Sequence, residues 1–439
     1  MPALRHPADR EILRLAVPAL GALAAEPLYV LTDTAVVGHL GTPQLGGLAI
    51  AGTVLTTAFF LFNFLAYGTT AAVARFVGAD QRAAAAQHAV QGVWLAAGLG
   101  IVLAAAGVVF APGAIDLFGP TAEVREHAIT YLRISALGAP AVLLALVGVG
   151  YLRGLQDTKT TLVIAVGSNV INLVIEVVLI YGFDRGIGAS ALATVIAQVC
   201  AAIVYLGVVF RSVVAAGVAW ALDPARLRRL VVVGQALFLR TGSLLAALAV
   251  ATAVASRFGE VPLGAHQIAF QLWSFLALVL DAIAIAGQAM VGRLLGAGDA
   301  AGARHASRRM VQWGVVAGCT FAALVIALRP LLAPAFTDDQ RVIDLALDVL
   351  IVVALLQPIN AVVFVLDGVL IGAGDLRYLA GAMAASSLLV FLPIAVVVRA
   401  SDAGLLWLWA ALAGLMVARL LGNVARFRGE GWQVVGADR

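Results

Sequence analysis

The sequence predicts an all-α integral membrane protein of twelve transmembrane helices, arranged as two six-helix lobes related by a parallel pseudo-two-fold repeat. Three observations predict it. Apolar residues make up 62% of the 439 residues and charged residues 12%, against roughly 25% charged in soluble domains. Apolar runs of about 20 residues, enough to cross a ~30 Å hydrocarbon core, recur along the whole chain. The chain also repeats itself without a gap. Thr34-Ala35-Val36 returns as Thr252-Ala253-Val254, an offset of 218 that carries Gly41 onto Gly259 and Leu45-Gly46 onto Leu263-Gly264. Arg75 maps onto Arg293, Pro112 and Pro140 onto Pro330 and Pro358, and Gly150, Gly154 and Asp157 onto Gly368, Gly372 and Asp375.

Six spans fill each half. In the first lobe, residues 1–218, they fall at about 12–37, 47–74, 89–111, 127–149, 160–182 and 188–210. In the second, residues 219–439, they fall at about 229–256, 264–291, 308–328, 344–370, 379–398 and 404–423. An even number per half makes both halves enter the membrane in the same orientation, so the relating axis runs along the membrane normal. Two such bundles facing each other are the build of a secondary transporter, with its site where the repeats meet.

The first span follows a short charged leader, 1–14, and is too long for a signal-peptide core. Glu26 and Asp33 interrupt it, and Tyr29 lies between them; spacings of three, four and seven put all three on one helical face. Pro18 and Pro27 each remove a backbone donor and can bend this helix. The second span carries Phe60, Phe62, Phe64 and Tyr67, which either line an apolar cleft suited to amphipathic cations or pack helices. The fourth ends in Gly150-x-x-x-Gly154, matched in the tenth by Gly368-x-x-x-Gly372, a pattern that lets helices approach closely. In the fifth, Asn169, Asn172 and Glu176 share one face, and Thr194 in the sixth offers a hydroxyl at comparable depth. The second lobe lacks this set: Asp33, Asn172 and Glu176 map onto Ala251, Val390 and Ile394. It carries Arg240, Gln267, Asp281, Gln288 and Asp367 instead, with Trp273 and Phe364.

A charge at the bilayer centre costs about 2.5–3.5 kcal/mol even on insertion scales, so such residues face an interior and work there or form ion pairs. Two carboxylates in one dry pocket cannot both stay ionised cheaply. One therefore binds a proton or a cation, which places the cation switch in the first lobe. For Arg240, a structural pair with Asp281 or Asp367 is the preferred reading.

Orientation follows from the cations. Of the 28 arginine and lysine residues, twenty flank one side, from Arg5, Arg10 and Arg14 through Arg75, Arg153 and Arg293 to Arg419, Arg426, Arg428 and Arg439. Arg125, Arg133, Arg185, Arg257, Arg329, Arg341 and Arg399 flank the other, and Arg240 remains at membrane depth. Both termini are thereby cytoplasmic. The net charge of +4 marks topology, and no nucleic-acid face stands apart from it. Arginine-rich, lysine-poor usage points to a bacterium of high GC content, hence to its inner (plasma) membrane.

Other classes are excluded or disfavoured. Lys159 is the only lysine, so no G-K-[ST] phosphate loop exists and ATP does not drive this chain directly. Six scattered histidines give no metal-ligand spacing, and no nucleophile–base or paired-acid cluster supports an enzyme. Cys200 and Cys319 form no motif and are expected as buried small hydrophobes. The polar residues are asymmetric between the halves, against a channel.

Thr32-Asp33-Thr34-Ala35-Val36-Val37-Gly38-His39-Leu40-Gly41 and Asn169-Val170-Ile171-Asn172-Leu173-Val174-Ile175-Glu176 resemble motifs of the multidrug and toxic compound extrusion (MATE) family. Phe238-Leu239-Arg240-Thr241, Trp273-Ser274-Phe275 with Asp281, and Phe364 through Asp375 are similar to its DinF-like branch. The resemblance covers essentially the whole chain. It implies two six-helix lobes around a V-shaped cleft and efflux of drugs or organic cations by antiport with H⁺ or Na⁺. The residues matching Tyr29, Asp33, Asn172, Glu176 and Thr194 would form a network whose protonation is tied to bending of the first helix at the position of Pro18. Glu176 departs from the family's usual aspartate by one methylene and puts the ion choice in doubt, leaving Na⁺ at Asp33 and Glu176 open. No cofactor beyond the coupling ion is expected, and the partners are a small organic substrate and the bilayer, with the chain monomeric. The alternative is a flippase or exporter of lipid-linked oligosaccharide of similar lobe architecture, whose relatives commonly have extra spans and a more cationic cleft.

Overall fold

The structure, a computed structural model, describes residues 7–183 and 185–437. Arg5, His6 and Arg439 lie outside the described residues. The helices follow the repeat closely. α1 (Pro7–Gly38), α2 (Thr42–Leu61), α3 (Phe64–Gly78), α4 (Arg82–Asp116), α5 (Ala122–Ala136), α6 (Ala139–Gly154), α7 (Thr158–Val177) and α8 (Ile187–Ala215) make the first series. α9 (Pro224–Arg257), α10 (Glu260–Gly296), α11 (Ala300–Leu332), α12 (Gln340–Gly372), α13 (Leu376–Ala385), α14 (Leu392–Ala400) and α15 (Leu405–Arg428) make the second. At the 218 offset, α2 with α3 spans the same stretch as α10, and α5 with α6 the same as α12. Among the described residues, eleven helical stretches are long and apolar enough to cross a membrane, or twelve when the bent pair α5–α6 counts as one span. This is the expected multi-pass, two-series all-α fold.

Reversals are set by local chemistry. Gly41 and Gly259, repeat partners, take φ of 130° and 111° before α2 and α10, a region a Cβ makes costly. Asp157 caps α7 by accepting from the Thr160 amide, and Asp299 caps α11 by accepting from Gly302. Asp339 caps α12 through the Arg341 amide, and the Arg341 guanidinium holds its carboxyl below the usual carboxylate range.

Sequence reasoning gave continuous spans; the structure breaks several. α2 and α3 part at Phe62-Asn63, and α5 and α6 meet at 50°. The second break has a clear cause. Gly138 precedes Ala139-Pro140, whereas the repeat partner reads Leu356-Gln357-Pro358 and stays inside one helix. Proline removes the same donor in both, but only the first copy adds a glycine. In α12 the Gln357 amide also donates to the Val353 carbonyl at 3.0 Å. Spans five and eleven contain π-helical turns, Val178–Gly182 and Ser386–Phe391.

The chain divides into two compact units, 17–234 and 7–16 with 235–437. In each, matched glycines bring helices into backbone contact. A Cβ on Gly150 would lie 2.6 Å from the Ala66 carbonyl oxygen, and one on Gly368 would strike that of Ala284, its repeat partner. Gly154 faces Val73 and Thr70, and Gly372 faces the Gln288 backbone; Gly100 faces Pro140, and Gly318 faces Pro358. The G-x-x-x-G pairs therefore seat α6 on α3 and α12 on α10.

Exposed large apolar side chains such as Val102, Phe110, Leu355 and Leu389 suit a hydrocarbon surround, where backbone polar groups are satisfied within the helices. Two expectations change here. Cys319 is exposed and Cys200 only half-buried, so neither fills a core. Arg419, counted with the flanking cations, is buried within α15.

The start of α1 belongs to the second unit. Asp9, 1% exposed, accepts from Arg309 Nε at 2.6 Å and Nη2 at 2.8 Å, and from Trp313 Nε1 at 2.8 Å. Arg293 donates to Glu11 at 2.7 Å. Residues 17–38 of the same helix belong to the first unit, and Pro18 falls at the changeover.

We predict that Gly368→Ala destabilises the protein by about 1–3 kcal/mol, the usual cost of overpacking. Gly98→Ala, where no atom lies within 4 Å of the new Cβ, is neutral or stabilising by about 0.5–1 kcal/mol from helix propensity. Thermal unfolding of the two purified variants in detergent checks this. Equal melting temperatures would contradict the packing role.

Candidate functional site

In the first unit, four helices bring polar side chains into one apolar interior. α1 supplies Tyr29 and Asp33, one turn apart. α7 supplies Asn169, Asn172 and Glu176, and α8 supplies Ser190 and Thr194, again one turn apart. Tyr131 of α5, 4% exposed, lies beside the Ser190 and Thr194 hydroxyls and Asp33. Asp33 is 4% exposed and Glu176 fully buried.

The hydroxyls fix the direction of each bond. Thr194 Oγ1 donates to the Ser190 carbonyl at 3.0 Å, which uses its only proton. Its lone pairs are then free to accept from the Tyr29 hydroxyl at 2.8 Å and the Asn172 amide at 3.1 Å. Ser190 Oγ donates to Asp33 Oδ1 at 2.6 Å. Asn169 donates to the Ala25 carbonyl at 2.7 Å and Tyr181 to that of Val36 at 3.3 Å. α1 is thus tied to α7, α8 and the π-turn by side-chain hydrogen bonds along residues 25–36, while Leu28, Val30 and Leu31 remain exposed.

Glu176 lies against Asp33 and within reach of Ser190, and among the described residues neither of its oxygens has a geometrically formed hydrogen bond. A fully buried carboxylate without a donor is very costly. A protonated one has an obvious acceptor in its neighbour. The arrangement can therefore hold one proton between two carboxyl groups and exchange it if water reaches them. The π-turn begins at Val178, two residues beyond Glu176, as such turns often do at functional sites.

Tyr29, Asp33, Asn172, Glu176 and Thr194 come together as the spacings indicated, with Asn169 at the edge. Glu26 does not join them. It is exposed, beside Pro27, about two turns before Asp33 and outside the buried stretch of the site. Ser190 and Tyr131 were missed, although Ser190 is four residues from Thr194 and so shares its face.

At the repeat-related positions the second unit is apolar. Tyr29, Asp33, Tyr131, Ser190 and Thr194 map onto Ala247, Ala251, Val349, Leu408 and Leu412, all members of its main hydrophobic core. Its charges gather elsewhere. Asp367 pairs with Arg240, accepts from Arg419 Nη2 at 2.7 Å and from the Asn423 amide at 2.7 Å. Arg419 also lies 6.0 Å from the Phe364 ring. Arg240 thus takes the structural pairing, with Asp367. Gln288 is buried, Asp281 half-buried and Gln267 exposed. Of the cleft-aromatic candidates, Trp273 and Phe364 pack in the second unit's core and Phe62 and Phe64 in the first's; Tyr67 is half-buried and Phe60 40% exposed.

Comparison with known proteins places these features in a family. A family model described as MatE matches residues 18–178 and 243–397. Protein DETOXIFICATION 44, chloroplastic, of Arabidopsis thaliana is 31% identical over 431 residues, 95% of this chain and 81% of that protein. DNA damage-inducible protein F of Escherichia coli (strain K12) is 29% identical over 387 residues, 86% of this chain and 84% of its own. A solved structure, described as the outward-facing conformation of a multidrug resistance MATE family transporter of the MOP superfamily, superposes with a TM-score of 0.84 at 22% identity, covering 97% of each chain.

Asp367 is the anion shared by two largely buried guanidiniums, so removing it strands both, and breaking a buried pair typically costs about 3–5 kcal/mol. We predict that Asp367→Ala loses most of its stability in detergent, whereas Asp33→Asn unfolds near the parent temperature. An Asp367→Ala protein as stable as the parent would show the cluster is not structural.

Proposed function

This chain belongs to the MatE family, and we propose that it is a proton-coupled antiporter exporting drugs or amphipathic organic cations by alternating access. One observation carries the coupling: two adjacent buried carboxyl groups, one without a donor, in the unit whose repeat partner is apolar at the same positions. Two such groups hold one exchangeable proton, because burial and mutual repulsion oppose a second charge.

In this reading, access to water on the outer side loads the pair with a proton and inward access releases it. Transport follows when loaded and unloaded pairs favour different shapes of α1, since a ligand shifts a two-state equilibrium only through differential affinity. The helix suits that role: Pro18 and Pro27 weaken its ladder, and hydrogen bonds to Asn169, Ser190 and Thr194 tie its state to the carboxyl groups. Drug export extends to this chain what the outward-facing relative's description states of that protein. The proposal includes a plasma-membrane location with both termini cytoplasmic, a monomeric chain and no cofactor beyond the coupling ion; it assigns no enzymatic chemistry.

Uphill efflux of ethidium from proteoliposomes, driven separately by a proton and a sodium gradient, tests it. The proton gradient should suffice. We predict that Asp33→Asn inserts and folds but abolishes uphill efflux, that Glu176→Asp retains it and that Glu176→Gln loses most of it. Efflux by a sodium gradient alone would replace the ion, and full activity in Asp33→Asn would move the coupling site elsewhere.

A further inference from the structure

We infer that Ser190 is the positioning residue that decides which carboxyl of the pair carries the proton: its hydroxyl holds the charge on Asp33 and leaves the proton on Glu176. The inference rests on the proposed proton coupling at this site.

Ser190 is fully buried, and its 2.6 Å bond to Asp33 Oδ1 has the length of an O–H donor meeting an ionised oxygen. A hydroxyl has one proton to give. Ser190 lies within reach of Glu176 as well, so serving that group means releasing Asp33. The other groups facing the pair do not compete for this role. Thr194 spends its proton on the Ser190 carbonyl, and Tyr29 and the Asn172 amide are committed to Thr194. The Tyr131 hydroxyl lies within reach of the same two hydroxyls, Ser190 and Thr194. With Ser190 on Asp33, a neutral Glu176 has its neighbour as acceptor, so the one charge in the pair keeps a donor. When the hydroxyl turns to Glu176 the assignment reverses, so the proton and the serine exchange partners together.

The sequence pattern agrees. Ser190 occurs only in the half with the carboxyl groups; its repeat partner is Leu408, in a unit where Asp33 and Glu176 are Ala251 and Ile394.

The test is the pH at half-maximal ethidium efflux from proteoliposomes under a proton gradient, for the parent, Ser190→Ala, Ser190→Thr and Ser190→Cys in the full chain. Removing the donor favours the protonated pair, so the midpoint in Ser190→Ala should move about one pH unit to the alkaline side, the size of one hydrogen bond to a charged group. Ser190→Thr should restore the parent midpoint, and Ser190→Cys, a weak donor of similar shape, should fall between. A parent midpoint in Ser190→Ala and Ser190→Cys, with only the rate changed, would overturn the inference and leave Ser190 structural. If Ser190→Ala does not fold, the Ser190→Cys midpoint alone decides. A parent driven by sodium and not by protons would instead sink the coupling reading, so the two failures are distinct.

Discussion

Burial of Asp33 beside Glu176 is the constraint on which the rest of the first unit depends. Two ionised carboxylates there would repel in a low-dielectric interior with too few donors to satisfy them. The surroundings meet that constraint with neutral donors: Ser190 on Asp33, and Tyr29, Asn172 and Thr194 bonded to one another around them. None of these groups carries a fixed positive charge. A guanidinium would lock both acids in their ionised forms; hydroxyls and an amide do not.

The second unit shows the opposite solution. Asp367 sits between Arg240 and Arg419 with Asn423 as a further donor, which fixes the acid as a permanent anion and makes the group a rigid tie among α9, α12 and α15. At the positions equivalent to the first unit's network it is filled with alanine, valine and leucine. Matching helix spans with different interiors give one unit whose buried acids meet only neutral donors and one whose buried acid is held by guanidiniums. The shared glycine contacts, Gly150 on Ala66 and Gly368 on Ala284, explain how the scaffold is kept while the chemistry diverges: they fix helix spacing through backbone contact and leave the side chains free to change.

Much of this was legible because it depends on spacing. The 218-residue repeat specified the span pairs, and periods of three and four placed Tyr29 with Asp33 and Asn172 with Glu176. The remainder depends on contacts between distant segments. Ser190 and Tyr131 are ordinary residues within apolar helices, and only the fold brings them to Asp33. Arg419 lies near the chain's end, where cations usually flank the membrane, and nothing local distinguishes it from Arg426; its partner is 52 residues away. The break between α5 and α6 rests on local differences between the copies, Gly138-Ala139 against Leu356-Gln357, just before the shared proline. Glu26 shares the helical direction of Asp33 yet is exposed, because which part of a face is covered depends on where distant helices pack.

The central claim is that one neutral carboxylic acid persists in this pocket at neutral pH beside one carboxylate. Infrared difference spectroscopy of the protein in lipid, titrated from acid to alkaline pH, reads it directly. The account predicts the carbonyl stretch of a buried neutral acid at neutral pH, lost on alkalinisation, absent from Glu176→Gln and unchanged in Gly98→Ala. A parent spectrum without that band, or a band that survives Glu176→Gln, would contradict it.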